Sequence, residues 1–195
     1  MNKKVRCFGA GDELYEAYHD EEWGRPVEDS PDERELFERV CLEGFQAGLS
    51  WITILRKREA FREAFADFDP STVAAFDDDD VERLMGNAGI IRNRPKIVAA
   101  IGNAEALQTM HANGERLIDL IAEHAPQPRP QPPLTFEDVP STTEESKRLS
   151  KAMKDRGFRF VGPTTMYALM QATGVVDDHI HGCWLARKWP DEEEG

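Results

Sequence analysis

Apolar residues in this chain recur at helical spacing, and sustained period-2 alternation is absent, so few or no strands are expected. Helix punctuation repeats along the whole length. Ser30-Pro31-Asp32-Glu33 sets out a cap, an N1 proline and a capping-box glutamate. Leu36, Phe37, Val40, Cys41 and Gly44 then keep to one helical face. Trp51, Ile52, Ile54 and Leu55 open a second apolar segment. Asp69-Pro70-Ser71 starts a short helix, and Asp79 and Asp80 cap another through Val81, Leu84 and Met85. A longer helix is expected from Pro95 through Ile97, Ile101, Ala104 and Leu107, with Gly114 separating it from 117–121. Thr142 with Glu145 reads as a capping box ahead of Leu149 and Met153. Pro163 opens a last helix through Tyr167, Leu169 and Met170, ended by Gly174. The expectation is all-α: many short helices rather than a simple bundle, without internal repeats. Pro126, Pro128, Pro130, Pro132 and Pro133 mark one exposed connection over 126–133. The 195 residues suit a single domain, 1–195.

Charge sharpens the reading. The chain carries 24 Lys+Arg against 37 Asp+Glu, a formal net charge of -13. Bulk charge of that sign opposes a nucleic-acid partner. The distribution is uneven: residues 1–90 are net -11, residues 91–170 net +2 and residues 171–195 net -4. Two basic clusters stand out, Arg92/Arg94/Lys96 and Lys147/Arg148/Lys151/Lys154/Arg156/Arg159, the second interrupted only by Asp155. The segment 147–159 is therefore net +5, and the acid is expected to lie away from it. The acid runs 77–80 and 192–194 read as a helix start and a terminus. No run approaches the roughly 20 apolar residues that span a bilayer. No apolar stretch follows the N-terminal charges, so no signal peptide is expected. Three cysteines do not make a disulfide framework, and a reducing, cytoplasmic setting is expected.

Three constellations can carry chemistry. Cys7 and His19 lie near one end of the chain, His179 and Cys183 near the other. His179 and Cys183 are four apart, so one helical turn aims both at one ion, and two thiolates with two imidazoles suit a closed, structural zinc site. His181 competes with His179, and four packed side chains are the bland alternative; local spacing does not decide. Cys41, on an apolar face, is expected in the core. Second, Glu43 sits among glycines and apolar residues in Cys41-Leu42-Glu43-Gly44-Phe45, with Tyr15, Tyr18, Trp23 and Trp51 close in sequence. This is either an aromatic core with a rim glutamate or a pocket whose π faces stack on a flat or cationic ligand while a carboxylate reads its edge. Third, Gly157-Phe158-Arg159-Phe160-Val161-Gly162-Pro163-Thr164-Thr165 runs from a basic helix through a turn into a proline-opened helix, where backbone N–H groups can hold phosphate. There is no P-loop and no G-x-S-x-G, and Gly9-Ala10-Gly11 followed by Asp12-Glu13 does not suit a dinucleotide, so no nucleotide cofactor is expected.

Longer stretches carry a resemblance. Leu14-Tyr15-Glu16-Ala17-Tyr18-His19-Asp20-Glu21-Glu22-Trp23-Gly24, the run from Cys41 to Thr53, Ala88-Gly89-Ile90-Ile91-Arg92, the run from Arg156 to Ala172, and Asp178-His179-Ile180-His181-Gly182-Cys183 follow one another from Cys7 to Cys183. In these the chain resembles the 3-methyladenine DNA glycosylase I family of the helix-hairpin-helix glycosylases. The resemblance implies a two-lobed all-α fold with the helix-hairpin-helix around 147–175 and a zinc site joining the chain ends. It implies one structural Zn2+ on Cys7, His19, His179 and Cys183. It implies Glu43 as the acid that reads the damaged base, Tyr18 and Trp51 as stacking residues, and Tyr15 and Trp23 lining the same neighbourhood. Gly157, Val161, Gly162, Thr164 and Thr165 belong to the DNA-binding hairpin. The implied partner is double-stranded alkylated DNA, met by a monomer, with no membrane involved. The implied reaction is base-excision repair: hydrolysis of the N-glycosidic bond of a flipped 3-methyladenine, whose positive ring is already a good leaving group. Asp178 matches the family's pattern. Asp177 falls near the position where the wider superfamily has a catalytic aspartate, and a helix N-cap beside the metal ligand is the simpler role for it.

Overall fold

The computed structural model describes residues 4–186, and among these there are ten α-helices, two short 3-10 turns and no strand. The helices are α1 (Glu13–Glu21), α2 (Arg34–Gln46), α3 (Trp51–Leu55), α4 (Arg58–Ala64), α5 (Pro70–Ala74), α6 (Asp78–Gly86), α7 (Arg94–Ala112), α8 (Leu117–Glu123), α9 (Glu144–Asp155) and α10 (Pro163–Ala172). The all-α expectation holds, and none of these helices is long and apolar enough to cross a membrane. The acid run at 192–194 lies outside the described residues.

α7 is the axis of the molecule. Its buried residues, from Lys96 and Ile97 through Asn103 to Met110, cover most of the helix and leave one exposed stripe at Val98, Glu105 and Thr109. A helix with so wide a buried face belongs largely inside, and α7 packs against α2, α5 and α6. The main core gathers Phe37, Phe45, Phe61, Phe65 and Phe68, each at most 1% exposed, with Leu84, Ile97, Leu107, Leu149 and Leu169. A second, smaller apolar cluster stands apart. It consists of Tyr18, Trp23, Leu55 and Ala172, with Phe8, Tyr15, Trp51 and Ile52 against it. Trp51 touches both clusters.

Caps place most helix starts within two residues of the sequence reading. Asp69 accepts the Thr72 N–H at 2.7 Å ahead of Pro70. α6 is capped by Asp77 and Asp80 rather than by Asp79 and Asp80. α9 is capped by Thr143 and Ser146, one residue beyond the predicted Thr142 and Glu145. One start is read wrongly. α2 begins at Arg34, and Glu33 takes the left-handed region, φ 51, instead of serving as a capping-box glutamate. Its carboxylate, 2% exposed, accepts the Leu117 and Ile118 N–H groups at 2.8 and 2.7 Å and contacts His111 Nε2 at 2.8 Å. Glu33 thus caps α8, whose own N-cap residue Arg116 supplies no side-chain bond. Leaving those N–H groups buried and unmet is the more costly alternative. Glu33→Ala is expected to lower stability by about 2–3 kcal/mol, read as a lower denaturant midpoint at unchanged slope. A shift under about 0.5 kcal/mol would contradict this cap.

Candidate active site and metal centre

α1 starts because Asp12 accepts the Tyr15 N–H at 3.2 Å. The i, i+3 spacing then sets Tyr15 and Tyr18 on one face, rings 6.4 Å apart. Trp51, the first residue of α3, brings its ring within 5.3 Å of Tyr18 at 43°. Phe8 closes the wall, 4.8 Å from Tyr15 and 5.1 Å from Trp23. Glu43 enters from the last turn of α2 and is 5% exposed. Two polar atoms here have no hydrogen-bond partner, Glu43 Oε2 and Trp51 Nε1. Native interiors rarely leave such groups unmet, and functional sites are where they persist. Burial pushes the Glu43 carboxyl up to about 8, opposed by the Arg39 guanidinium one turn earlier. The Tyr18 phenol is raised first by burial and then by the charge of Glu43, which puts the two within electrostatic reach. The arrangement is an aromatic recess with an unsatisfied acid, within electrostatic reach of Arg39 and Arg58. It suits a flat, positively charged guest.

Four donors converge beside it. The ligand atoms of Cys7, His19, His179 and Cys183 all lie within 4.8 Å of one another, so the group can hold a metal ion. Cys7 Sγ is 3.5 Å from His179 Nδ1, and Cys183 Sγ is 3.4 Å from His19 Nε2 and 3.6 Å from His179 Nδ1. The Cys183 thiol is lowered by Cys7 first and then by the two imidazoles. His179 and Cys183 do not share a helical turn, contrary to the spacing argument. Residues 177–183 are irregular, closed by a Cys183 N–H bond to Ile180 O at 3.0 Å. Asp177 therefore caps no helix; its Oδ1 accepts the His179 N–H at 3.2 Å within this turn. His181, the competitor, is exposed and outside the cluster. The chain ends do meet: Trp184 N–H bonds to Val5 O at 2.9 Å. Gly24 leaves the room required, since a Cβ there would sit 3.0 Å from His179 Nε2.

The third constellation is α9, the turn 156–162 and α10. Phe158 and Val161 are core residues, 2% and 0% exposed, so only the backbone of Val161 can face outward. Gly162 caps α10 without a side chain, Pro163 has no N–H, and Thr164 is exposed. The basic face is less free than its net +5 implies. Lys147 pairs with Glu144, Arg148 with Glu145, Lys151 with Asp155 and Arg156 with Glu115. Helix i, i+3 and i, i+4 geometry brings acids onto the same face, which corrects the expectation that acid lies elsewhere. Among the described residues Lys154 and Arg159 have no ion-pair partner.

Comparison with known proteins decides the family. The methyladenine glycosylase model matches residues 8–187. DNA-3-methyladenine glycosylase 1 of Escherichia coli (strain K12) is 53% identical over 182 residues, 91% of this chain and 95% of that protein. A crystal structure of a 3-methyladenine DNA glycosylase I superposes with a TM-score of 0.88 at 49% identity, covering 94% of this chain and all of the other. A Staphylococcus aureus structure that describes 3-methyladenine recognition reaches a TM-score of 0.83 at 36% identity, covering 93% and 96%. The chain belongs to the methyladenine glycosylase family. Members are enzymes that hydrolyse N-glycosyl bonds, and the site residues read from the family's motifs can be placed on this structure. Tyr15, Tyr18 and Trp51 come together and Glu43 lies within electrostatic reach of Tyr18, while Trp23 packs in the same cluster and also reaches the cysteine–histidine group, 4.7 Å from the His179 ring. A cavity of about 320 Å³ lies elsewhere, between the 126–132 connection and Tyr167, and neither Glu43 nor Trp51 lines it.

Sequence reasoning missed two supporting residues. Asp20 accepts the His19 Nδ1–H at 2.9 Å, both arms of Arg6 at 2.9 Å and Trp184 Nε1 at 3.0 Å. The Arg6 guanidinium holds its carboxyl well below the usual range. A carboxylate behind an imidazole fixes the tautomer that leaves Nε2 free to face the cluster. The adjacent His19-Asp20 pair carried that signal. Phe8 was the other omission, next to Cys7 and therefore near the cluster.

Proposed function

We propose that this chain excises 3-methyladenine from alkylated double-stranded DNA, as its relatives' names state of them, hydrolysing the N-glycosidic bond of a base flipped out of the duplex. The observation that supports this most is Glu43: a buried, unsatisfied carboxyl within electrostatic reach of Tyr18, which packs against Trp51. An alkylated adenine carries positive charge, so it leaves readily and needs capture more than activation. Tyr18 and Trp51 stack on the cationic ring, a contact worth about 1–2 kcal/mol when desolvated. Glu43 accepts from the amino edge, and its charge favours the cation over neutral adenine. Tyr15 and Trp23 complete the surroundings of the recess. α9, the turn and α10 act as the helix-hairpin-helix, within 147–175. There Gly157, Val161, Gly162, Thr164 and Thr165 present backbone and hydroxyl groups to phosphates. Lys154 and Arg159 are the cations free to join them. The working unit is a monomer.

The metal is a structural zinc held by Cys7, His19, His179 and Cys183. A tetrahedral ion with bonds of about 2.3 Å to sulfur and about 2.0–2.1 Å to nitrogen sets neighbouring S and N roughly 3.5 Å apart. The three S···N contacts of 3.4–3.6 Å fit that edge. A zinc hydrolase keeps an open coordination position; four protein donors leave none, so the ion fastens the chain ends and takes no part in the chemistry.

The test is release of free 3-methyladenine from methylated duplex, across a salt series. Trp51→Ala is expected to lower kcat/KM by about 5–30-fold, the equivalent of one lost cation–π contact. Unchanged release by both Trp51→Ala and Glu43→Gln would remove this site from the reaction, and no release by the wild type would make the chain a binding module only.

A further inference from the structure

Two buried polar side chains on α7 have no part in the site described above. Lys96 and Asn103 are seven residues apart, hence on one face of the helix, and are 8% and 3% exposed. Lys96 Nζ donates to Phe45 O at 2.9 Å and Ala47 O at 2.6 Å. These carbonyls end α2, where a cation is favoured. They lie two and four residues after Glu43 and open the 47–50 loop that leads to Trp51. Asn103 directs its whole amide at one residue of the hairpin: Oδ1 accepts the Arg159 N–H at 2.7 Å and Nδ2 donates to Arg159 O at 3.1 Å. The next residue, Phe160, is 39% exposed and held at φ 54, a region in which an aromatic residue is strained. It closes on α2 at Gly44, the immediate neighbour of Glu43, where an added Cβ would lie 3.3 Å from Phe160 Cβ. Only about 10 Å³ of free space remains at this seam between Gly44, Lys96, Asn103 and Phe160.

The partners are backbone groups that apolar side chains would leave unmet, so these bonds contribute to stability as well. Directional bonds fix positions, and these fix two segments relative to one acid. We propose that Lys96 and Asn103 are positioning residues: α7 holds the 47–50 loop and the 157–162 hairpin in register with Glu43. DNA gripped at the hairpin then presents its flipped base at the recess. The inference rests on the functional reading above and adds to it the part that aligns backbone grip with base capture. Misplacement by about 1 Å costs such a site on the order of a hundredfold.

The experiment separates base capture from delivery. Full-length wild type, Asn103→Ala and Lys96→Met are compared for single-turnover base release from methylated duplex and for binding of free 3-methyladenine, followed by tryptophan fluorescence. The expected result is release lowered by about 10–100-fold with free-base affinity within about twofold. Release within about twofold of wild type overturns the inference, and so does an equal loss of release and free-base binding, which marks a merely structural role. Should either variant fail to fold, Phe160→Gly decides on the same readouts, since it removes the seam contact at an exposed position whose φ suits glycine. Wild-type protein that releases no base overturns the functional reading and this inference with it. Normal wild-type release with unaffected variants overturns the inference alone.

Discussion

Glu43→Gln is expected to yield a protein that is more stable than wild type at pH 8 and far less able to release 3-methyladenine. The two effects have one cause. Glu43 is buried with Oε2 unmet, and its carboxyl is pushed up from 4.5 to about 8. Between those values the folded chain keeps a proton that the unfolded chain has lost. Stability therefore falls as pH rises through this window, by up to about 1.4 kcal/mol per unit, and levels off above pH 8. Glutamine keeps the shape and removes the linkage. The stability gap between variant and wild type should be small at pH 5, widen towards pH 8 and reach a few kcal/mol, read from denaturant midpoints across pH. A gap that stays flat with pH would show that burial does not hold this acid neutral. In catalysis the sign reverses. A cationic base supplies the partner that the recess lacks, so the carboxylate forms where it is needed. Losing a charged acceptor worth about 1.5–3 kcal/mol predicts release lowered roughly 10- to 150-fold. Stability and activity are opposed at this residue, as expected of a group kept unsatisfied for its guest.

Which features were legible in the sequence follows from the range of the forces involved. Caps act over three residues, so Asp69, Asp77 and Thr143 could be found, or nearly found, from local pattern. Glu33 could not, because its partners at Leu117 and Ile118 are 84 and 85 residues away. The four residues whose donors converge were singled out, but the local geometry expected of them was wrong. His179 and Cys183 reach the cluster from an irregular turn, which H-x3-C spacing cannot distinguish from one helical turn. Net charge misled twice. The total of -13 hid a basic segment. The net charge of 147–159 then hid the acids Glu144, Glu145 and Glu115, which lie outside that window yet pair with its cations. Glu43 was visible as an acid in apolar company, and its unmet oxygen only as geometry. Lys96 and Asn103 looked like ordinary polar residues of a long helix until their acceptors and donors were placed.

Removing the metal is expected to destabilise the fold far more than it changes the chemistry of molecules that remain folded. The four donors come from the two ends of the chain, so an ion there closes a loop from Cys7 to Cys183. A covalent cross-link closing a loop of about 100 residues is worth roughly 4.7 kcal/mol through chain entropy, and a tightly held ion acts on the unfolded chain in the same way. For a protein of this size each kcal/mol moves Tm by about 2–4 °C, so chelation or Cys183→Ser should lower Tm by about 10–20 °C. Protein purified without chelator should contain one zinc. At a temperature well below the lowered Tm, base release per folded molecule should stay within a few-fold of the holo-protein. The recess formed by Glu43, Tyr18 and Trp51 contains none of the four ligands. Some loss is expected through Trp23, whose ring lies 4.7 Å from His179 and 5.1 Å from Phe8, and which thereby links the metal cluster to the aromatic wall. Complete loss of turnover in a metal-free variant that keeps its fold would instead place the ion in the reaction. An unchanged Tm after verified removal of the metal would show that the hydrogen bonds between the chain ends, Trp184 to Val5 and to Asp20, hold them without it.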